Sequence, residues 1–344
     1  MNIKIETVKT ANLEMDFFRF GHGPKTFVIL PGLSIKSVME SADTVASQYS
    51  AFNDEYTTYL FDRRKDLPTN EDQTSGESSA NESDDASVSG SNDDSPRYTI
   101  ADMARDTAEA IRALGLSDIY LFGASQGGMI ALTLTIENPD LVSKLALGST
   151  TAKISASDIQ ISSDAASSGS ASSDAASSGS ASSDAASSGS ASGSSVDASS
   201  FSESTGNSDE IANWVDLAKA GDAKTLYREF GRKLYPTVLF EQYKEVLEGL
   251  GNFVTSEDLR RFIVIAEGTT GFDVSAFLSK ITCPVLVLGS EDDRVIDPQA
   301  SRDIAGGLVN AKCELHMYDG FGHAAFDTAP DYKERLLRFF AEEA

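Results

Sequence analysis

The sequence has few basic residues and few histidines. The first shortage excludes some classes of binding partner, and the second limits the candidates for a catalytic base. Lys and Arg number 28 against 53 Asp and Glu, giving a formal net charge of −25. Such a chain repels phosphate backbones and anionic lipid headgroups, so we expect no nucleic-acid partner and no membrane partner. Three histidines are present, His22, His316 and His323. If the protein uses a histidine as a catalytic base, that base is one of these three.

Cysteine and long apolar runs are also scarce. Cys283 and Cys313 each open an apolar, strand-like run. That setting favours two small buried side chains over a disulfide framework, and a metal site is not expected. No run approaches the roughly 18 apolar residues of a membrane-spanning helix, and the N-terminus lacks the apolar core of a signal peptide. We therefore expect a soluble, cytoplasmic protein.

Two segments lack the composition of a packed core. Residues 69–96 hold eight acids and no base, and residues 154–209 hold seven acids and no base, with three tandem copies of SSDAASSGSA at 162–191. Segments of this kind bury too little apolar area to offset the entropy of ordering, so both are predicted to be disordered insertions. They are interpreted as passive loops. A binding or regulatory role stays open, because both follow strands that should end at one rim of a sheet.

Short β-rich runs alternate with helical patterns along the rest of the chain. They are FVILPG (27–32), YTTYLFDRR (56–64), IYLFGAS (119–125), KLALGST (144–150), PVLVLGS (284–290) and CELHMYDG (313–320). This alternation predicts an α/β protein with a doubly wound, mostly parallel sheet. Residues 3–10 and 13–21 are too close together for a crossover helix, so they predict an antiparallel hairpin at one edge of the sheet.

Helical periodicity with almost no strand signal marks residues 208–280, which we interpret as a helical insertion packed over the sheet edge. Five aromatic side chains of this region are expected in the core, and the alternative is that they line an apolar pocket. They are Trp214, Phe240, Phe253, Phe262 and Phe272.

A serine stands where a strand run meets a helical pattern. The stretch LFGASQGGMIAL (121–132) contains G-x-S-x-G at Gly123, Ser125 and Gly127. The two glycines leave room for neighbouring backbone on a tight strand-to-helix turn, where a serine hydroxyl can act as a nucleophile. The N–H of Gln126, at the helix start, can bind a developing oxyanion. A tight turn with an incidental serine is the alternative.

A serine hydroxyl is a poor nucleophile unless a base takes its proton and an acid orients that base. His22 lies in a Gly/Pro turn and His316 within a strand run. His323 lies in a glycine-rich loop after the last strand, where catalytic residues gather, and is the predicted base. The run LVLGSEDDRVIDP offers Asp292 and Asp293 as the acid. An acidic turn with a capping Asp is the alternative interpretation of that run.

Three motifs in this order resemble the capped serine hydrolases of the α/β-hydrolase superfamily: LFGASQGGMIA, PVLVLGSEDDRVIDP and YDGFGHAAFDTAPDYKERLLRFF. The resemblance spans residues 1–344 apart from the two insertions. It implies an eight-stranded sheet whose second strand is antiparallel. It also implies a hydrolase core of residues 1–150 and 279–344, and a cap region of 151–278 in which low-complexity residues 154–207 precede a helical cap at 208–278.

The resemblance implies catalytic roles for Ser125 as nucleophile, for His323 as base and for an acid after the seventh strand. The family places a proline four residues after the acid, a spacing that fits neither aspartate cleanly. Asp293, with Pro298 five residues on, comes closer and is favoured over Asp292.

The second oxyanion donor implied by the resemblance is the backbone N–H of Leu33. The text ILPGLSIKS carries Pro31 where this family often has His, a change that leaves the backbone donor intact but weakens the subfamily assignment. A common Pro-Gly turn is the alternative. The serine at position 125 also argues against the dehalogenases and epoxide hydrolases of this fold, which use an aspartate there.

The implied activity is hydrolysis of a carboxylic ester of a small apolar or aromatic acyl substrate through an acyl-enzyme, with no cofactor. The same triad acting on a thioester, an N-terminal peptide bond or a carbon–carbon bond is one alternative. A ligand-binding member of the fold without turnover is another.

Overall fold

The β-rich runs of the sequence form eight strands in this computed structural model, which describes residues 3–68, 98–154 and 207–342. The strands are β1 (Ile5–Lys9), β2 (Glu14–Gly21), β3 (Lys25–Leu30), β4 (Tyr56–Arg64), β5 (Ile119–Ala124), β6 (Val142–Gly148), β7 (Val285–Ser290) and β8 (Cys313–Tyr318).

All eight strands join one sheet in the order β1-β2-β4-β3-β5-β6-β7-β8. β2 pairs antiparallel with both of its neighbours, and every pair from β4 to β8 is parallel. The predicted α/β fold is confirmed, including its antiparallel second strand and the hairpin at one edge. Because the carboxyl ends of parallel strands share one rim, the loops after β3, β5, β7 and β8 come together there.

Helices form between the strands within the described ranges. They are α1 (Ala42–Gln48), α2 (Ile100–Ala113), α3 (Gln126–Glu137), α4 (Asn207–Lys219), α5 (Ala223–Leu234), α6 (Thr237–Leu250), α7 (Ser256–Glu267), α8 (Pro298–Gly307), α9 (Ala325–Thr328) and α10 (Tyr332–Ala341).

The core is divided between the two faces of the sheet. Val28 and Leu30 of β3 belong to one apolar cluster, with residues of α2, α3 and α8, whereas Phe27 and Ile29 belong to a second cluster with residues of α1 and α10. Successive side chains of a strand point to opposite faces. The alternation along β3 therefore places one cluster on each face, as a doubly wound sheet requires.

Helix α2 has a complete set of end signals. Thr99 Oγ1 accepts the N–H of Asp102, and the Asp102 carboxylate accepts the N–H of Thr99 in return, which is a reciprocal capping box. At the other end Gly115 adopts φ +68°, and the N–H of Leu116 reaches back to the carbonyl of Ile111 at 3.1 Å. A left-handed residue of this kind, for which glycine is suited, ends the helix.

Helices α4 to α7 lie between β6 and β7, where the sequence predicts a helical insertion. Four of the five aromatic side chains that the sequence analysis names are buried, as expected: Trp214, Phe240, Phe262 and Phe272. The core prediction for Phe253 is wrong, because this residue is 70% exposed. It follows α6, whose Val238, Val246 and Leu250 are also exposed. An apolar side chain in a helical pattern does not reveal which helix face is covered.

Parts of the sequence prediction lie outside the described residues, namely residues 69–96 and 155–206 of the two insertions. In the described ranges, no helix is both long and apolar enough to cross a membrane. Cys283 and Cys313 are free and half-buried. Burial raises the pKa of each thiol to about 11.

Candidate active site

Ser125 occupies a strained turn between β5 and α3. Its φ of 53° and ψ of −123° lie in a region that residues with a side chain rarely adopt. The backbone is fixed from both sides, because the Ser125 N–H donates to Gly148 O at 2.8 Å and the Ser125 carbonyl accepts from Thr150 Oγ1 at 2.7 Å. Although Ser125 precedes the first residue of α3, its hydroxyl makes no capping hydrogen bond. That hydroxyl is therefore left for other chemistry.

The glycines of the turn allow the loop after β3 to approach the serine. A Cβ atom at Gly127 would lie 2.0 Å from the carbonyl oxygen of Leu30, and one at Gly123 would lie 2.3 Å from the carbonyl oxygen of Gly127. No side chain fits at such distances. The close approach brings Gly32 beside the nucleophile candidate, since a Cβ built there would lie 3.7 Å from Ser125 Oγ.

The predicted base and one of the two predicted acids meet in the interior. His323 Nδ1 lies 2.8 Å from Asp293 Oδ2, and their side chains are 2% and 3% exposed. The same carboxylate accepts the N–H groups of Val295 and Ile296 at 2.8 and 2.9 Å. These bonds fix the carboxylate, which in turn orients the imidazole and leaves Nε2 available as a base.

Asp292, the alternative acid, orders the loop that carries His323. Four groups donate to its carboxylate at 2.8–3.2 Å: Ser290 Oγ and the N–H groups of Gly320, Phe321 and Gly322. Three of these donors lie on that loop, with φ of +83° at Gly320 and +67° at Gly322. The structure thus separates the two aspartates, since Asp293 contacts the histidine and Asp292 holds the backbone around it.

The remaining histidines lie elsewhere. His22 is exposed between β2 and β3, 3.4 Å from Asp54, and His316 packs on β8 against Tyr318, with ring centroids 4.6 Å apart. No hydrogen bond among the described residues joins Ser125 Oγ to His323. In enzymes without substrate such a bond is often long and tightens when the substrate binds.

The two predicted oxyanion donors are available to a ligand. Leu33 follows the Pro31–Gly32 turn after β3, and Gln126 is the first residue of α3. Within the described part of the chain, neither backbone N–H has a hydrogen-bond acceptor. A helix N-terminus such as that of α3 also stabilises negative charge through its peptide dipoles.

A buried arginine that the sequence analysis does not single out links both donor segments. Arg63, near the end of β4, is 5% exposed, and its Nη2 donates to Pro31 O at 3.0 Å and to Gln126 Oε1 at 3.2 Å. Gln126 Nε2 donates to Ile265 O of α7 at 2.8 Å. Burial lowers the pKa of Arg63 to about 10, so this side chain stays a cation at neutral pH. The available sequence signal is DRR (62–64), three charged residues that end an otherwise buried strand.

The helical region also contacts the histidine loop. The N–H of Ala324, next to His323, donates to Leu234 O of α5 at 2.9 Å. Together with the Gln126–Ile265 bond, this contact places α5 and α7 over the rim that carries the candidate residues.

Comparison with known proteins gives a family match and named relatives. A sequence model of the alpha/beta hydrolase fold matches residues 26–330. A relative from Serratia proteamaculans (strain 568), named as a candidate carbamate hydrolase RutD, is 42% identical over 70% of this chain and 72% of that protein. A protein of the same name from Pseudomonas syringae pv. syringae (strain B728a) is 40% identical over 26% of this chain, and the match spans a third of its own length, 33%.

Among solved structures, the enol-lactonase from Burkholderia xenovorans LB400 is similar to this chain with a TM-score of 0.65, covering 98% of this chain and 100% of that one. The two sequences are 15% identical. The likeness is one of fold.

Proposed function

The chain belongs to the alpha/beta hydrolase fold family, and from that premise we propose that it is a serine hydrolase with Ser125 as its nucleophile. One observation carries the proposal: a serine at φ 53° with an uncapped hydroxyl shares a rim with a buried His323–Asp293 pair, 2.8 Å from Nδ1 to Oδ2. A turn that served folding alone would use its hydroxyl as a helix cap.

In the proposed reaction, Ser125 Oγ attacks the acyl carbon while His323 Nε2 takes the hydroxyl proton. The carbonyl oxygen becomes an oxyanion that accepts hydrogen bonds from the N–H groups of Leu33 and Gln126. His323 then gives its proton to the leaving group, and the carbon–heteroatom bond breaks. A water molecule, deprotonated by His323, attacks the acyl-enzyme and restores Ser125.

Asp293 acts on the histidine in this scheme. Its carboxylate stabilises the imidazolium that forms during both half-reactions and keeps Nε2 aimed at the hydroxyl. Asp292 acts one step further away, because its bonds to the loop amides fix the backbone on which His323 stands.

The proposed substrate is a carboxylic ester with a small acyl group, and α4 to α7 are proposed as a cap that shapes specificity. A carbamate is the second candidate. The relative named as a carbamate hydrolase, 42% identical over 70% of this chain, favours it. Both substrates present an acyl carbon, and both pass through a tetrahedral oxyanion that the same donors would bind.

The proposal is tested by labelling the full chain with a fluorophosphonate, read by mass spectrometry of the intact protein. Stoichiometric labelling that disappears in Ser125→Ala is expected. Ser149→Ala is the matched control, because Ser149 also has a positive φ, 45°, just after the neighbouring strand β6. Equal labelling of the wild type and Ser125→Ala, or no labelling of the folded wild type, would refute the assignment of Ser125.

A further inference from the structure

A small cavity lies between the oxyanion loop, the end of β4 and the helical region. It has a volume of about 10 Å³, and its walls include Pro31, Gly32, Ser34, Asp62, Arg63 and Arg261. This is room for about one ligand oxygen atom. Gly32 forms part of the wall. It also lies beside Ser125, since a Cβ atom built on Gly32 would lie 3.7 Å from Ser125 Oγ. The cavity is therefore next to the proposed reaction centre.

Two guanidinium groups in this wall keep N–H donors without acceptors. Nε of Arg63 and Nη1 of Arg261 are buried, and neither has a hydrogen-bond partner among the described residues. Arg63 as a whole is 95% buried, being 5% exposed. A buried N–H with no acceptor is unfavourable, and the more so on a charged group. Two such donors at one cavity indicate a site for an acceptor.

The charge at the cavity is positive. Asp62 is the acidic residue of its wall, and both of its carboxylate oxygens are already occupied. Oδ1 binds Arg261 Nη2 and accepts the Arg63 N–H at 2.8 Å, while Oδ2 accepts from Ser37 Oγ. One carboxylate faces two guanidinium groups, which leaves an excess of one positive charge. Asp62 thus holds Arg261 in place through Nη2 and leaves Nη1 of Arg261 to a ligand.

We infer that this cavity takes one oxygen of a substrate carboxylate, which is held by Arg63 and Arg261 beside the oxyanion loop. Arginine suits the role, because its planar array of donors matches carboxylate oxygens and its charge persists when buried. The inference rests on the proposed function and deepens it, since it defines the substrate class as anionic acyl compounds. The chain has a net charge of −25, so its composition alone would favour a cationic substrate over an anionic one.

The first test compares two esters on the wild-type chain: 4-nitrophenyl hydrogen adipate, which carries a carboxylate, and its neutral methyl ester. We expect kcat/KM to be about tenfold or more higher for the anionic ester, as for a charge-assisted hydrogen bond. Equal values, or a preference for the neutral ester, would overturn the inference.

Variants assign the preference to the cavity. In the Asp62→Asn/Arg261→Gln double variant, which removes one charge of each sign, the ratio of the two kcat/KM values is expected to fall but to stay above one, because one guanidinium donor is lost while Arg63 remains. The matched control is Arg260→Gln, on the same helix but 57% exposed and paired with Glu257, which should keep the wild-type ratio. Arg63→Lys gives a second, charge-conserving variant, and we expect a lower ratio because lysine lacks the Nε donor. An unchanged ratio in both cavity variants would place the preference elsewhere.

A binding measurement separates failure of this inference from failure of the proposed function. In Ser125→Ala, monomethyl adipate, an anion, should raise Tm, whereas neutral dimethyl adipate should not. A Tm increase by the anion in Ser125→Ala, together with a folded wild type that neither turns over esters nor labels with fluorophosphonate, would keep the subsite and reject the nucleophile. Turnover of both esters with neither an anionic preference nor a Tm increase would keep the nucleophile and reject the subsite.

Discussion

Helices α2 and α3 begin in opposite ways, although each is preceded by a residue with a hydroxyl side chain. At α2, Thr99 has a relaxed φ of −82° and its hydroxyl accepts the N–H of Asp102. At α3, Ser125 has φ 53° and its hydroxyl caps nothing. The same chemical group stabilises one helix and is withheld from the other. The difference indicates that the start of α3 is held by its surroundings, which leaves the Ser125 hydroxyl free for the proposed nucleophilic role.

The carboxylates also fall into two groups, those that bind backbone groups without contacting His323 and one that contacts it. Asp102 completes the capping box of α2, and Asp292 gathers three loop amides, so both serve the backbone. Asp293 also binds two amides, but it turns one oxygen to His323. Removing each group should therefore affect either stability or turnover more strongly, and the following substitutions test that division.

The largest expected effect is the loss of turnover at the start of α3. Ser125→Ala should lower kcat on an activated ester by a factor on the order of 10⁴ or more. Ser125→Gly should do the same while raising the free energy of unfolding by about 1 kcal/mol, because glycine adopts this backbone conformation without strain. Steady-state kinetics and urea unfolding check both. Retained turnover in either folded variant would contradict the proposal.

The two neighbouring aspartates offer the next contrast. Asp293→Asn should lower kcat by about 10³-fold, because an amide neither stabilises an imidazolium nor fixes its tautomer. Asp292→Asn should lower kcat far less and should instead reduce the free energy of unfolding by about 1–2 kcal/mol, through weaker bonds to the loop amides. Kinetics and denaturant unfolding of both variants decide the matter. Equal losses of turnover would mean that the two carboxylates are not divided as described.

The close approach at Gly127 predicts a large effect on stability. In Gly127→Ala the new methyl group would meet the Leu30 carbonyl, 2.0 Å away, and the β3 loop would have to move. We expect the free energy of unfolding to fall by about 3 kcal/mol or more. Gly249→Ala on α6, where a Cβ would meet nothing within 4 Å, is the control and should be neutral or stabilising. Thermal unfolding checks the pair, and a stable Gly127→Ala would refute the packing argument.

The smallest expected effect is at the start of α2. Thr99→Ala should lower the free energy of unfolding by about 1 kcal/mol, with little change in turnover. Thr255→Ala removes the hydroxyl from the second capping box, at α7, and should cost a similar amount. A loss of turnover in Thr99→Ala beyond the fraction unfolded would show that α2 is not the purely structural counterpart of α3.

Much of the fold could be predicted because it depends on local pattern. Short β-rich runs that alternate with helical patterns identify strands such as β4 and β6. The exposure of Phe253 could not be predicted, because helical periodicity shows that a face is apolar but not whether another element covers it.

The candidate site divides in a similar way. Ser125, Asp293 and His323 follow strand ends, and glycines around them signal tight turns, so the sequence alone suggests them as candidates. The choice between Asp292 and Asp293 depends on contacts made across the rim. The network of Arg63, Gln126 and Arg261 joins positions up to about 200 residues apart, and local pattern does not encode such contacts.

Gln126 has a consequence for recombining parts of this enzyme with others. Its backbone N–H is a proposed oxyanion donor, while its side chain joins Arg63 of the hydrolase core to the carbonyl of Ile265 in the helical region. A chimera that exchanged α4 to α7 for those of a relative would have to supply a carbonyl at the same position. Without one, the exchange would remove a hydrogen-bond partner from the side chain of a proposed oxyanion donor, so α4 to α7 are not freely exchangeable.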